Sequence, residues 1–314
     1  MKNFALLINP QANGAYFKDT LLVASAEFQA VFGEQTLEHR VIGNLQFLVA
    51  SLDESLLTQV LRLSFVLGVF EIDGDQFIPI DVASKYNLHE DFVFGSKYRG
   101  KTNEHLTQLL LNVGLSYLPK GTEQPTLLDP MCGRGTTMLW AMRYGLSAKG
   151  IEQDVKAIED LRQGLKKWTK LHRQRHKMME GFIGKANKKG LGKFLEFTVE
   201  EQNFRIINGD SREAATLIKS EKFDLIISDL PYGVQHFTTD KTRNPISVLA
   251  ECIADWKKLL KKDGVIVLAF NSYIPKRTDL IECFENNGLI AQSFTAPHRM
   301  SESIVRDIIV FKHA

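Results

Sequence analysis

Between Thr126 and Phe270 the chain alternates short apolar runs with helix-length amphipathic ones, and this alternation limits the folds open to it more than any other feature. TLLDP, AKGIEQ, FRIING, FDLIISD and GVIVLAF read as strands; TTMLWAMRYG, DVKAIEDLRQGLKKW, SREAATLIK and VLAECIADWKKLLK read as the helices between them. Strands apolar at nearly every position are buried on both faces. A doubly wound, mostly parallel α/β sheet with helices on both sides meets that requirement. A further helix, DLIECFENNG, and two strand-like runs, IAQSFTA and IVRDIIVFK, follow. Strands joined so closely run antiparallel, so they are expected to finish one edge as a hairpin.

Residues 1–90 follow another order: strand (KNFALLI), helix (LLVASAEFQAVFG), strand (EHRVIGN), strand (LQFLVAS), helix (DESLLTQVLRLS), strand (VLGVFEI). This βαββαβ sequence predicts a small ferredoxin-like α+β domain, with the doubly wound domain over 91–314. Hydrophobic content of 44% and charged content of 24% are ordinary for a globular chain and disfavour disorder. No run reaches the roughly 20 apolar residues of a membrane span, and MKNFALLINP does not read as a secretory leader. The three cysteines, Cys132, Cys252 and Cys283, lack metal-ligand spacing. The expectation is a cytoplasmic protein with no membrane and no metal partner.

In sheets of this kind, ligands bind beyond the carboxyl ends of the strands, near the point where strand order reverses. Those ends carry DPMCGRGTT, Glu152, Asp210 and Asp229. Gly133 and Gly135 lie between a strand and a helix, where backbone can approach a ligand and the helix N-terminus favours an anionic group. Glu152 lies 23 residues after Asp129, one βαβ unit on, where a carboxylate can accept both hydroxyls of a ribose. Taken singly, the glycines read equally as a tight turn, Glu152 as a solvated acid and Asp210 as a helix cap. Their recurrence at successive strand ends favours a nucleoside site.

DPMCGRGTTMLWAMRYG, AKGIEQD, INGDSRE and FDLIISDLPYG resemble the successive motifs of class I S-adenosylmethionine-dependent methyltransferases. The Asp-X-Pro-Tyr ending and the upstream GKTNE are similar to the RNA methylase family of THUMP-linked tRNA guanine-N2 methyltransferases, over roughly residues 93–314. The resemblance implies S-adenosyl-L-methionine as cofactor. Asp129, Gly133 and Gly135 would line its amino acid part, Glu152 would hold its ribose and Asp210 its adenine amine, with Pro130, Cys132, Thr136, Gln153 and Ser211 as further cofactor-binding residues. Asp229, Leu230, Pro231 and Tyr232 would act on the target base. The first 90 residues cannot hold both the ferredoxin-like module and THUMP, so the chain departs from that family's pattern there.

An exocyclic amine is a poor nucleophile because its lone pair is delocalised into the ring. The Asp229 carboxylate and the Leu230 carbonyl can accept its N–H bonds and direct the lone pair at the methyl group. Asp229 can also take the proton, Pro231 keeps Leu230 extended, and Tyr232 offers a face for a flipped base. Residues 165–193 hold ten Lys or Arg and a single acid, Glu180. They read as an inserted basic arm, in which Lys166, Lys167, Lys170, Arg173 and Arg175 meet RNA phosphates and Trp168, His172 and His176 can stack on bases. A solvated helix face is the bland alternative, and Trp168 can equally pack on the sheet. Lys101, Asn103, His298, Arg299 and Arg306 are further candidates for substrate contact. The resulting expectation is an RNA methyltransferase modifying guanine N2, with tRNA first and rRNA second as partner. An adenine-N6 enzyme and a non-catalytic RNA-binding scaffold remain the alternatives.

Overall fold

The computed structural model describes residues 1–97, 101–183, 192–219, 221–231, 245–301 and 304–314. Strand β1 (Lys2–Ile8) leads through a short helix α1 (Asn13–Tyr16) into α2 (Thr20–Phe32). The hairpin β2 (Glu38–Ile42) and β3 (Leu45–Leu52) follows, then one helical turn α3 (Leu57–Val60), β4 (Val66–Asp73) and β5 (Gln76–Pro79). The sheet runs β2-β3-β1-β4-β5 with every neighbour antiparallel. This is the ferredoxin-like order with β5 added as a hairpin strand. The expected second helix shrinks to α3 and a preceding 3-10 turn capped by Asp53.

Two short segments, α4 (Asp91–Phe94) and α5 (Glu104–Ser116), lead into the second sheet. Its elements are β6 (Leu127–Asp129), α6 (Thr136–Arg143), β7 (Ala148–Glu152), α7 (Val155–Leu171), β8 (Lys177–Phe182), β9 (Lys193–Val199) and β10 (Gln202–Asn208). They continue as α8 (Ala214–Ile218), β11 (Phe223–Asp229), α9 (Ile246–Leu259), β12 (Leu260–Asn271), α10 (Arg277–Glu285), β13 (Leu289–Ala291), β14 (His298–Ser301) and β15 (Ile304–His313). The order is β13-β15-β12-β11-β6-β7-β10-β9-β8, with β14 also on β15. β10, β7, β6, β11 and β12 are parallel, as the apolar strands required.

At one edge the terminal strands pair antiparallel as expected: β13 is the edge strand, β15 enters between it and β12, and the connecting β14 also pairs with β15. The other edge differs from the sequence expectation. Of the segment expected as an inserted basic arm, residues 184–191 lie outside the described residues; the described part runs from the last turns of α7 into the strand β8, which pairs with β9 and extends the sheet beyond β10. The β9 sequence KFLEFTV buries Leu195, Phe197 and Val199 in strict alternation; that strand signal lay at the margin of the lysine-rich stretch.

One apolar core runs through both sheets. Phe4, Leu6, Val23 and Phe28 belong to the same buried cluster as Leu106, Leu109, Trp140 and Phe197. Across the seam between α2 and α5, the fully buried Glu27 carboxylate accepts from Ser64 N (3.0 and 3.1 Å), Ser64 Oγ (2.6 Å) and Asn112 Nδ2 (2.6 Å). Burial outweighs these donors and pushes the Glu27 carboxyl up to about 7. Among the described residues no helix is long and apolar enough to cross a membrane.

Candidate active site

Strand order reverses at β6, and the carboxyl ends of β11, β6, β7 and β10 lie side by side around that point. Asp129 closes β6 almost fully buried, accepting from Met131 N (3.1 Å) and from Ser228 Oγ (2.9 Å) on the adjacent β11. Burial pushes its carboxyl up to about 7. After Pro130 the chain turns: Cys132 N donates to Ile151 O (3.0 Å), and burial raises its thiol well above the ordinary value, which disfavours the thiolate. Gly133 has φ +53°, and a Cβ placed there would meet nothing within 4 Å. The turn therefore leaves open space beside its backbone. Gly135 (φ +75°) caps α6, where a Cβ would press on Leu161 and Ile206 at 3.1 and 3.2 Å. Thr136, the first residue of α6, is buried.

Glu152 at the end of β7 ties this turn to the next. Its carboxylate accepts from Gly133 N and from Asp154 N, each at 2.7 Å. Asn208 Nδ2 straps the same turn from β10 by donating to the carbonyls of Glu152 and Gln153 at 3.0 Å. Asn208 was not among the expected site residues, although its place two residues before Asp210 was a usable signal. Asp210 caps a 3-10 turn and is forked by the Arg212 guanidinium (2.7 to 3.1 Å), which holds its carboxyl below the ordinary value. Ser211 Oγ accepts from Trp256 Nε1 (3.1 Å). Asp129, the glycine turn, Glu152 and Asp210 thus stand along the carboxyl ends of β6, β7 and β10. Open space beside Gly133 with carboxylates on either side makes this strip the candidate cofactor site.

Asp229 ends β11 with a side chain only 10% exposed. Its Oδ2 lies 3.3 Å from Nη2 of Arg306, a residue 1% exposed on β15. Its Oδ1 is buried and has no hydrogen-bond donor among the described residues. Leu230 N donates to Ala269 O (2.9 Å), which carries the sheet pairing one residue past Asp229 and buries the Leu230 side chain. Pro231 is the last residue of the motif that is described, and Tyr232 lies outside the described residues.

Several expected substrate residues are used internally. Lys101 Nζ donates to Ser96 O (2.8 Å), to Val93 O (2.5 Å) and to Glu104, and Asn103 caps α5 through His105 N (2.9 Å) and Leu106 N (3.2 Å). Trp168 packs into the core with Nε1 on Ser96 Oγ (3.1 Å), the second of its two expected placements. His172 Nε2 pairs with Asp91 (2.8 Å) while its ring stacks on His89 at 3.7 Å, and the His176 ring lies beside Phe197 at 5.5 Å. His298 is buried and its imidazole pKa is lowered by that burial. Lys166, Lys167, Lys170, Arg173 and Arg175 are all exposed, the first three on α7 and the others in the turn before β8.

Residues 98–291 match the UPF0020 family model, described as RMKL-like, methyltransferase domain. No curated protein matches the sequence. Among solved structures, the chain is similar to a TehB-like SAM-dependent methyltransferase from Corynebacterium glutamicum, with 18% identity, 62% of this chain and 83% of that one covered, and a TM-score of 0.38. It is similar to TrmN from Thermus thermophilus, with 13% identity, 88% of this chain and 59% of that one covered, and a TM-score of 0.44. A precorrin-6y C5,15-methyltransferase from Geobacter metallireducens shows 15% identity over 72% of this chain and 96% of that one, with a TM-score of 0.44. The family match spans more than half of the chain, and this protein belongs to that family of methyltransferase domains, with S-adenosylmethionine as its cofactor.

Proposed function

We propose that this methyltransferase modifies RNA at an exocyclic base nitrogen, guanine N2 of tRNA before rRNA. The observation that carries this reading is Asp229 Oδ1, a buried acceptor with no donor among the described residues, at the strand end beside the cofactor strip. A buried carboxylate oxygen is costly to leave unpaired, so the site favours a ligand that brings an N–H. The bound cofactor supplies an electrophilic methyl group on a sulfonium. Asp229 accepts one amine hydrogen, holds the nitrogen with its lone pair toward that methyl, and takes the proton as the nitrogen becomes cationic. A carboxylate only accepts, which suits the adjacent N1–H and N2 amine of guanine better than the amine and acceptor N1 of adenine.

The charge distribution supports a polyanionic substrate at the methyltransferase half. Residues 1–90 carry five Lys or Arg against eleven Asp or Glu, whereas the exposed cations Lys166, Lys167, Lys170, Arg173 and Arg175 cluster at the end of α7. The test is transfer of labelled methyl to cellular RNA by purified protein, followed by nucleoside mass spectrometry. N2-methylguanosine is expected, and lost in Asp229→Ala with S-adenosylhomocysteine affinity intact. Label in N6-methyladenosine, or in DNA alone, would overturn the guanine assignment.

A further inference from the structure

The Arg306 guanidinium lies 3.3 Å from the Asp229 carboxylate, although 77 residues separate the two in sequence. Arg306 sits on β15 opposite Asn271 of β12 on one side and His298 of β14 on the other. It is 1% exposed, so its charge lies where a neighbouring anion interacts with it far more strongly than at the surface. β14 is itself held by the N-terminal module: Asp19 Oδ2 accepts from Arg299 N (2.8 Å), and the Tyr16 ring meets the His298 ring edge-on at 5.3 Å. Tyr16 OH in turn donates to His105 O (3.0 Å) and shares a hydrogen bond with Ser64 Oγ (2.8 Å). Packed contacts thus run from the ferredoxin-like module, through β14 and β15, to the residue at the reacting centre.

We propose that Arg306 is a positioning residue for methyl transfer: its buried guanidinium occupies one oxygen of Asp229 and so aims the other at the substrate amine, with the N-terminal module bracing the strand pair that holds it. This rests on the reading of Asp229 as the amine acceptor. It gives the module a role distinct from gripping RNA, in keeping with its excess of acids. The 3.3 Å contact is a charge contact, whose attraction at a buried site favours the carboxylate orientation that keeps Oδ2 toward the guanidinium, and misplacement of a reacting group by about 1 Å can cost on the order of 100-fold in rate.

The experiment uses the full chain with Arg306→Met, Arg306→Lys, Asp229→Asn and the double variant Arg306→Met with Asp229→Asn. Arg306→Met should lower kcat on RNA by on the order of 100-fold, leaving KM for RNA and the affinity for S-adenosylhomocysteine within about threefold. Arg306→Lys, which keeps the charge, should recover a large part of that loss. Thermal melts supply a readout that needs no substrate: Asp229→Asn should lower the midpoint more in the wild-type background than in the Arg306→Met background, because only in the former does the change remove a charge contact to a buried cation. Additive shifts would overturn the pairing whatever the substrate proves to be. Coupled melts with unchanged kcat would overturn the positioning role. Coupled melts in a protein that methylates no RNA would place the failure in the substrate reading and leave the ion pair standing.

Discussion

Glu152→Gln tests the proposed cofactor site most directly, because the hydrogen bonds this carboxylate makes within the protein can be told apart from those it is proposed to make to the cofactor. Its oxygens accept Gly133 N and Asp154 N at 2.7 Å each, which uses two of its roughly four lone-pair positions. The remaining two are available to the ribose hydroxyls of the cofactor. A hydrogen bond to a charged acceptor is worth about 1.5 to 3 kcal/mol, so two at the low end amount to about 3 kcal/mol, or roughly 100-fold in Kd. The amide also turns one acceptor into a donor that faces a backbone N–H. In the absence of cofactor the cost is smaller, since the half-exposed turn can pass its N–H groups to water. At about 1 kcal/mol or less, the melting midpoint should fall by no more than about 4 °C. Isothermal titration with S-adenosylhomocysteine, beside melts of the free protein, reads both quantities. A Kd within about threefold of wild type, together with a lowered midpoint, would show that Glu152 only ties the two turns together and would refute the ribose assignment.

Glu27 should make stability pH-dependent. Its folded carboxyl is raised to about 7 by burial, so the folded state keeps a proton that the unfolded chain releases near its ordinary 4.5. The stabilisation is therefore fully present below the unfolded value and is lost as pH rises through about 7, by about 3 kcal/mol. Denaturant melts at pH 5 and pH 8 should differ less for Glu27→Gln than for wild type, and an identical difference would refute the assignment. The exposed cations at the end of α7 should make RNA binding salt-dependent. If Lys166, Lys167, Lys170, Arg173 and Arg175 each meet a phosphate, log affinity on single-stranded RNA should fall with log salt at a slope of about −3.5. Neutralising all five should flatten that slope, and an unchanged slope would return them to the role of a solvated helix face.

Local pattern carried much of the architecture. Strand and helix differ in the period at which apolar residues recur, so FDLIISD or DVKAIEDLRQGLKKW declares its type without reference to distant residues. The acids that end β6, β7 and β11, and Asp210 just beyond β10, were visible for the same reason: once a strand is recognised, its carboxyl end is known, and a doubly wound sheet uses that end. The βαββαβ order of residues 1–90 was also local, although the length of α3 was not, because tertiary packing overrides propensity in so short a helix.

What tertiary structure alone decided was which strands are neighbours and which side chains turn inward. Nothing in IVRDIIVFK says that its strand enters between β12 and β13, and only that placement brings Arg306 to Asp229. Its one visible sign was the charged pair Arg306 and Asp307 near the start of a largely apolar strand. Lys101 and Trp168 belong to polar or amphipathic residue types that serve equally at a surface or in a packed seam. Their direction was set by α4 and the chain around Ser96, which supply the carbonyls and hydroxyl that their polar atoms require. Periodicity is a property of a dozen consecutive residues, whereas a contact between distant strands depends on the order in which the whole sheet assembles.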